Sequence, residues 1–266
     1  MNNNAPIGIF DSGLGGLTIL KKIQKILPNE NYIYFGDTAH LPYGTKSKTC
    51  IIEYSKKIAN FLIEKNVKAI VIACNSASSV ATQIIKESSD VPIFEVIQPV
   101  ITESIQHTKT KNICIIGTEA TINSKIYSTS IYKINSTINT IEIACPLFVP
   151  IIEEGLQNTE IALSIAKLYL NQIIYENIDT LILGCTHYTI ILDTLKKIIA
   201  SNIHCISSGK PVGECLKKYL NDNQLSNSQH SSTKIEFYVS DDTKKFQKLG
   251  SDFLNHSIDD VSLIEL

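Results

Sequence analysis

Short apolar runs alternate with amphipathic stretches along most of this chain, and that alternation limits its folds more than any single motif does. The runs Ile7 to Phe10, Tyr32 to Phe35, Ala69 to Ala73, Ile93 to Glu95, Ile113 to Ile116, Ile141 to Ala144, Leu181 to Leu183 and Ile203 to Ile206 have the length and apolar continuity of buried strands. Between most of them the spacing predicts helices over Leu14 to Leu27, Ser47 to Glu64, Ala77 to Lys86, Ile97 to His107, Thr159 to Tyr175 and Ile190 to Ala200. Such alternation implies an α/β fold of mainly parallel sheets flanked by helices. Ligands then bind beyond the carboxyl ends of the strands, where the following loops converge.

A phrase recurs within this pattern. Ala69 to Ala73 leads into Cys74-Asn75-Ser76, and Thr180 to Gly184 leads into Cys185-Thr186-His187. Each is an apolar strand, then a thiol, then small polar residues opening a helical segment. A helix N-terminus there would favour thiolate over thiol. A second pair, Ile9 to Gly13 and Ile115 to Glu119, repeats strand, turn and hydroxyl. Cys74 and Cys185 lie 111 positions apart, and Ser12 and Thr118 lie 106 apart. The matching offsets predict two pseudo-symmetric domains, residues 1–97 with 210–266 and residues 98–209, with the site in the cleft between them. The segment Lys234 to Val239 and a helix over Thr243 to Leu249 are expected to return to the first sheet, and Asn221 to Thr233 to form an exposed loop.

Composition narrows the class. The chain has 266 residues, 44% of them hydrophobic, enough for a core without metal or disulfide staples. Its 24 basic and 26 acidic residues leave a net charge of -2 with no basic block, which argues against a nucleic-acid partner. Residues 1–6 lack a charged and apolar leader, and no run is long enough for a membrane span. The 7 cysteines are odd in number and form no C-x-x-C pair, which suits reduced thiols in a cytoplasmic protein.

The turn Asp11-Ser12-Gly13-Leu14-Gly15-Gly16 has a glycine pattern that invites a dinucleotide reading, with Asp37 as the ribose-binding acid. Thr18 replaces the third glycine, and the Asp11 carboxylate would face a pyrophosphate. A tight turn placing Asp11 and Ser12 over an amino group, or Asp11 as a plain helix cap, fits better. In Asp37 to Gly44, the Gly44 amide and the Tyr43 hydroxyl can face a carboxylate, although taken alone the segment is better explained by a turn with a packed tyrosine. Cys50, Cys114, Cys145, Cys205 and Cys215 read as small core hydrophobes. Cys74 and Cys185 are set apart by the polar residues that follow them. Zinc ligation with His187 or Asp11, and a single nucleophilic cysteine with His187 as base, are alternatives. The first lacks a known ligand spacing and the second leaves one cysteine unexplained. Glu153, of the Glu153-Glu154 pair, could orient His187 if its loop closes the cleft.

Taken together, Ile9 to Thr18, Pro42-Tyr43-Gly44, Ala73 to Ala77 and Gly184 to Tyr188 resemble the glutamate racemase family, with the motifs in the family's order from Ile7 to about Gly209. The resemblance implies a cofactor-independent isomerase that interconverts L- and D-glutamate and supplies the D-form to peptidoglycan synthesis. It implies Cys74 and Cys185 as the two acid/base residues, Cys185 taking the proton of the L-enantiomer, with Asp11 and His187 as their auxiliaries and Glu153 nearby. It further implies substrate contacts from Asp11, Ser12, Tyr43, Gly44, Asn75, Ser76, Thr118, Thr121, Thr186 and His187. The resemblance implies no metal, and relatives are often homodimers. Inverting a carbon centre through a planar carbanion needs a base on one face and an acid on the other, which two thiols supply. Ser76 stands where threonine is usual, Thr189 where proline is frequent, and Ser207 where aspartate is frequent. Some relatives carry an N-terminal extension linked to activation by a cell-wall precursor; Asp11 comes too early for one, so no such dependence is expected. Rival readings are a related isomerase of aspartate, hydantoins or maleate, and a non-catalytic amino-acid-binding protein.

Overall fold

The computed structural model describes residues 2–173, 177–227 and 233–265. Its strands are Ile7–Asp11 (β1), Tyr32–Gly36 (β2), Ala69–Ile72 (β3), Ile93–Glu95 (β4), Asn112–Gly117 (β5), Asn139–Ala144 (β6), Thr180–Gly184 (β7), His204–Ile206 (β8), Ile235–Val239 (β9) and Ser262–Leu263 (β10). They form two sheets of parallel pairs, ordered β10-β9-β2-β1-β3-β4 and β6-β5-β7-β8. The segment β2-β1-β3-β4 repeats as β6-β5-β7-β8. Corresponding strands therefore carry Ser12 and Thr118 after β1 and β5, and Cys74 and Cys185 after β3 and β7. Strand β9 extends the first sheet through β2, as the returning tail required.

The helices are Leu17–Ile26 (α1), Lys48–Glu64 (α2), Asn75–Glu87 (α3), Gln98–His107 (α4), Glu119–Asn123 (α5), Ile126–Ile134 (α6), Phe148–Glu153 (α7), Glu160–Leu170 (α8), Leu192–Lys196 (α9), Gly209–Asp222 (α10) and Thr243–Leu254 (α11). Side-chain caps set several starts. Ser47 accepts from the Cys50 amide at 3.3 Å, Thr159 from Ala162 at 3.4 Å and Asp242 from Lys245 at 2.9 Å. Each sheet is covered on both faces. Leu20, Ile23, Val212, Leu216 and Phe246 pack on one face of the first sheet, and Ile51, Ile58, Leu62 and Ile85 on the other. In the second sheet Phe148, Ala162 and Leu195 cover one face, and Val100, Ile101, Tyr127 and Ile131 the other.

Several expectations need correction. The helix expected over Ile190 to Ala200 is only the five-residue α9, which follows a 3-10 turn at Thr186–Thr189. The helix expected from Thr159 ends at Leu170 and passes into a 3-10 turn at Asn171–Ile173; Tyr175 lies outside the described residues. The segment from Asn221 is not wholly an exposed loop. Helix α10 runs to Asp222, and Asn227 is buried with its amide donating to Glu30 Oε1 at 2.9 Å. Residues 228–232 of that segment lie outside the described residues. Among the cysteines assigned to the core, Cys114 and Cys145 are buried, Cys50 and Cys205 are half-buried, and Cys215 is exposed on α10. Helices α5, α6, α7 and α10 were not singled out by periodicity. The first and third are five and six residues long, too short for a clear period.

Candidate active site

The carboxyl ends of the strands in the two sheets meet around one small cavity. Ser12, Tyr43, Gly44, Cys74, Asn75, Ser76, Thr118, Glu153, Cys185, Thr186 and His187 all line it. Asp11 and Thr121 stand one layer behind, both fully buried. Gly13, Leu41, Pro42 and Val149 complete the walls and were not anticipated. Leu41 and Pro42 lay within a motif read for its tyrosine and glycine. Val149 carried no chemical signal at all.

Cys74 leaves β3 in extended backbone and is the N-cap of α3, so the thiol sits at a true helix N-terminus. Its Sγ donates toward Ser12 Oγ at 3.7 Å. The expected lowering of its pKa is reversed. Burial, with the adjacent Asp11 carboxylate, pushes the Cys74 thiol up to about 12, against the weaker pull of the Ala77 amide and Ser12. Cys185 is also extended, but the 3-10 turn that follows is too short to offer the expected α-helical N-terminus. Its polar partner is instead His187, whose Nδ1 lies 3.9 Å from Sγ. The Thr189 hydroxyl donates to the Thr186 carbonyl at 3.1 Å and ties the turn where proline was the familiar residue.

His187 is buried, and Nε2 faces Glu153 Oε1 at 3.3 Å. Burial works against an imidazolium, but Cys185, Glu153 and Asp11 together outweigh it and push His187 up to about 10. Asp11 is packed under the glycine turn. Its Oδ2 accepts from the Gly13 amide at 3.0 Å, and a Cβ on Gly16 would come within 2.5 Å of its own Cβ. Burial raises the Asp11 carboxyl, while His187 and the Gly16 and Gly13 amides oppose that rise. The Tyr43 hydroxyl donates to Asp37 Oδ2 at 2.5 Å, so the packed-tyrosine reading holds for that group. Asp37 Oδ1 also receives Ser240 Oγ at 2.6 Å and faces His40 Nδ1 at 2.8 Å, which anchors the loop carrying Tyr43 and Gly44.

Polar groups join the two halves beside the cavity. The Ser76 and Thr118 hydroxyls meet at 2.8 Å, Asn75 Nδ2 donates to Tyr127 Oη at 2.9 Å, and Thr18 Oγ1 donates to the Thr186 carbonyl at 3.1 Å. Among the described residues, no three His, Cys, Asp or Glu side chains gather as a metal centre. Two thiols reach a shared small cavity from equivalent strands of two pseudo-symmetric sheets, one beside an imidazole and carboxylate. Such a site can remove a proton from one side of a bound carbon and return one to the other.

Comparison with known proteins agrees with this geometry. A family model described as Asp/Glu/Hydantoin racemase matches residues 7–210. A glutamate racemase from Syntrophus aciditrophicus is 37% identical, with 100% of each chain covered. One from Thermoanaerobacter sp. is 40% identical, over 98% of this chain and 97% of that one. The crystal structure of glutamate racemase from Francisella tularensis in complex with D-glutamate superposes with a TM-score of 0.93 at 40% identity, covering 99% of this chain and 98% of that one. The chain belongs to the Asp/Glu/Hydantoin racemase family. It is an isomerase, and within that class an amino-acid racemase.

Proposed function

We propose that this chain interconverts L- and D-glutamate with Cys74 and Cys185 acting on opposite faces of the α-carbon. The activity is glutamate racemisation, the step that supplies D-glutamate to the cell wall. The single observation that carries the two-thiol mechanism is the opening of both thiols into one cavity from the equivalent strands β3 and β7. The division into residues 1–97 with 210–266 and residues 98–209 is supported by the membership of the two sheets and by α10 packing on α1.

In the L-to-D direction Cys185 sulfur takes the α-proton, and the C–H electron pair moves into the α-carboxylate as an enediolate. Asn75, Ser76 and Thr186 are assigned to that carboxylate, where their donors stabilise the developing charge. Cys74 then gives its thiol proton to the opposite face and is left as thiolate. Its raised pKa suits a residue that waits protonated. His187 balances charge on Cys185, and Glu153 orients His187. Asp11 acts through the glycine turn and the field it exerts on Cys74 and His187. Ser12, Tyr43, Gly44, Thr118 and Thr121 complete the substrate contacts assigned by resemblance, and the chemistry needs no cofactor. Because Asn75, Ser76 and Thr118 bond across the cleft, substrate entry requires these bonds to open and re-form.

No described helix is long and apolar enough to cross a membrane. That fact and seven free cysteines support a cytoplasmic setting. A homodimer is the assembly we assign, supported by the exposed Ile161 and Leu168 on α8 and read by sedimentation. The deciding experiment is incubation with L-glutamate in deuterated water. The α-proton should exchange as D-glutamate accumulates, and Cys74→Ser and Cys185→Ser should each abolish racemisation. Turnover that survives either substitution would defeat the mechanism, and a preference for aspartate over glutamate would move the chain to the related isomerases.

A further inference from the structure

The family match ends at residue 210, yet the helix near the carboxyl end reaches the site. Helix α11 packs on α1 through Phe246 and through Gly250, where an added Cβ would come within 3.0 Å of Leu17 and 2.8 Å of Ile258. One turn further, Phe253 stands edge-on to His187, with ring centroids 6.4 Å apart and planes at 88°. Phe253 packs against the core under the first sheet and also against the core that contains Cys185 and Tyr188. Among the described residues it is the one hydrophobic side chain shared by those two cores. Its backbone is fixed as well: Lys21 Nζ on α1 donates to the Phe253 carbonyl at 2.9 Å.

The first-sheet glycine turn also crowds His187. A Cβ on Gly15, just before α1, would lie 2.3 Å from His187 Nδ1 and from Thr186 Oγ1. Thr18, on α1, donates to the Thr186 carbonyl at 3.1 Å. His187 comes from the second sheet, but its ring is confined by first-sheet elements, α1 with its glycine turn and α11. An imidazole that must face Cys185 with one nitrogen and Glu153 with the other has little tolerance for rotation. A packed neighbour fixes that rotation and keeps water from the ring, as a supporting shell does for a reacting group.

We propose that Phe253 is a positioning residue for the racemisation, holding His187 in register with Cys185 and making α11 part of the catalytic apparatus. The inference rests on the two-thiol reading. If Phe253→Ala loosens His187, the proton transfer at Cys185 slows while the transfer at Cys74 is spared. Both directions share one equilibrium constant, so kcat/KM must fall equally from L- and D-glutamate. The asymmetry therefore emerges in isotope effects. With α-deuterated substrates the primary effect should rise for the enantiomer whose proton Cys185 takes, because that step becomes more limiting, and fall for the other.

The test compares Phe253→Ala, Phe253→Tyr and Leu249→Ala in the full-length enzyme. Leu249 lies on the same helix and packs on the first core alone, so it reports loss of helix packing. We expect Phe253→Ala to lower kcat at least about 10-fold, the order that a displaced catalytic group costs, with the isotope effects diverging as described. Phe253→Tyr should restore most of the rate, and Leu249→Ala should leave rate and isotope effects unchanged. Equal losses from Phe253→Ala and Leu249→Ala, or a slower Phe253→Ala enzyme with parallel isotope effects, would overturn the proposal. Should Phe253→Ala fail to fold, Phe253→Leu supplies the same comparison: it keeps apolar cover but lacks the ring edge, and unchanged isotope effects there would also overturn it. Failure of the two-thiol reading is separate, since it would appear as racemisation by Cys185→Ser with Phe253 intact.

Discussion

His187 Nδ1 lies 3.9 Å from Cys185 Sγ, within one 3-10 turn of the same strand end, so one thiol of the pair has a built-in cationic neighbour. Cys74 has instead the buried Asp11 carboxylate nearby and is held toward the protonated state. The pseudo-symmetry of the sheets is thus broken by charge at the two sulfurs. In the proposed two-thiol mechanism this difference assigns Cys74 as the proton donor and Cys185 as the acceptor for L-glutamate.

Replacing His187 by Asn should lower kcat about 100-fold or more, the usual weight of a positioned acid or base group, while binding of glutamate changes less. Steady-state kinetics in both directions check this. A KM effect larger than the kcat effect would make His187 a binding group alone.

The same residue predicts a pH dependence of stability. Its constant is raised from 6.5 to about 10 on folding, so His187 favours the folded state in full below pH 6.5 and loses that effect as pH rises through about 10. Urea unfolding of wild type and His187→Asn should show the largest stability difference near pH 6 and a shrinking one toward pH 10. A difference that grows with pH contradicts the assignment.

Gly15 tests the fit between the two halves. An Ala there would place Cβ 2.3 Å from both His187 Nδ1 and Thr186 Oγ1, so the second-sheet turn must withdraw. Backbone strain is not the cause, because the described glycine with positive φ is Gly155. We expect Gly15→Ala to fold and to lose about 100-fold in kcat, as displacing a catalytic group by an ångström does. Near-normal turnover would mean that the halves do not close as tightly in solution.

These relationships mark where sequence reading ends. The apolar runs reported the strands because a strand buried on both faces needs continuous Val, Ile and Leu, and the repeated Cys phrases reported equivalent strand ends. The residues after Cys185 looked like those after Cys74, yet one begins a 13-residue helix and the other a 3-10 turn. Local composition does not distinguish the two. Tyr43 and Asp11 carried the right chemistry, but which group takes the tyrosine hydroxyl, and which carboxylate lies under the glycines, depends on Asp37 and Gly16. Phe253 gave no signal at all. Its contact with His187 joins residues 66 positions apart through the packing of α11 on α1.

The hydroxyl bridge from Ser76 to Thr118 predicts a modest effect on closure. Ser76→Ala removes the bond to Thr118 at 2.8 Å and the longer one to Thr121 at 3.5 Å, and leaves Thr118 paired with Thr121 at 3.0 Å. One such bond contributes about 1 kcal/mol, and Ser76 is also one of three donors assigned to the carboxylate, so kcat/KM should fall about 5-fold through a higher KM and a modestly lower kcat. A kcat loss of the size expected for His187→Asn would place Ser76 in the proton transfer itself.

The opposite pole of the first sheet supplies a prediction about stability without catalysis. Lys68 is 1% exposed; its Nζ lies 2.5 Å from Glu30 Oε2 and donates to the carbonyls of Asn3 at 2.6 Å and Leu225 at 2.8 Å. Four chain segments meet at this ammonium, which stands just before β3 while Cys74 stands just after it. Lys68→Met should cost about 3–5 kcal/mol, because it leaves the Glu30 carboxylate buried without its counter-charge. Adding Glu30→Gln removes that charge and keeps an acceptor for the Asn227 amide, so the double variant should recover more than about 1 kcal/mol. Recovery will be incomplete, since the Asn3 and Leu225 carbonyls still lack a donor. A double-mutant cycle by urea unfolding measures the coupling, and additive costs would mean that the pair contributes nothing as a pair. The folded fraction of each variant should racemise glutamate at the wild-type rate, because the ion pair and the thiols occupy opposite ends of the same strand.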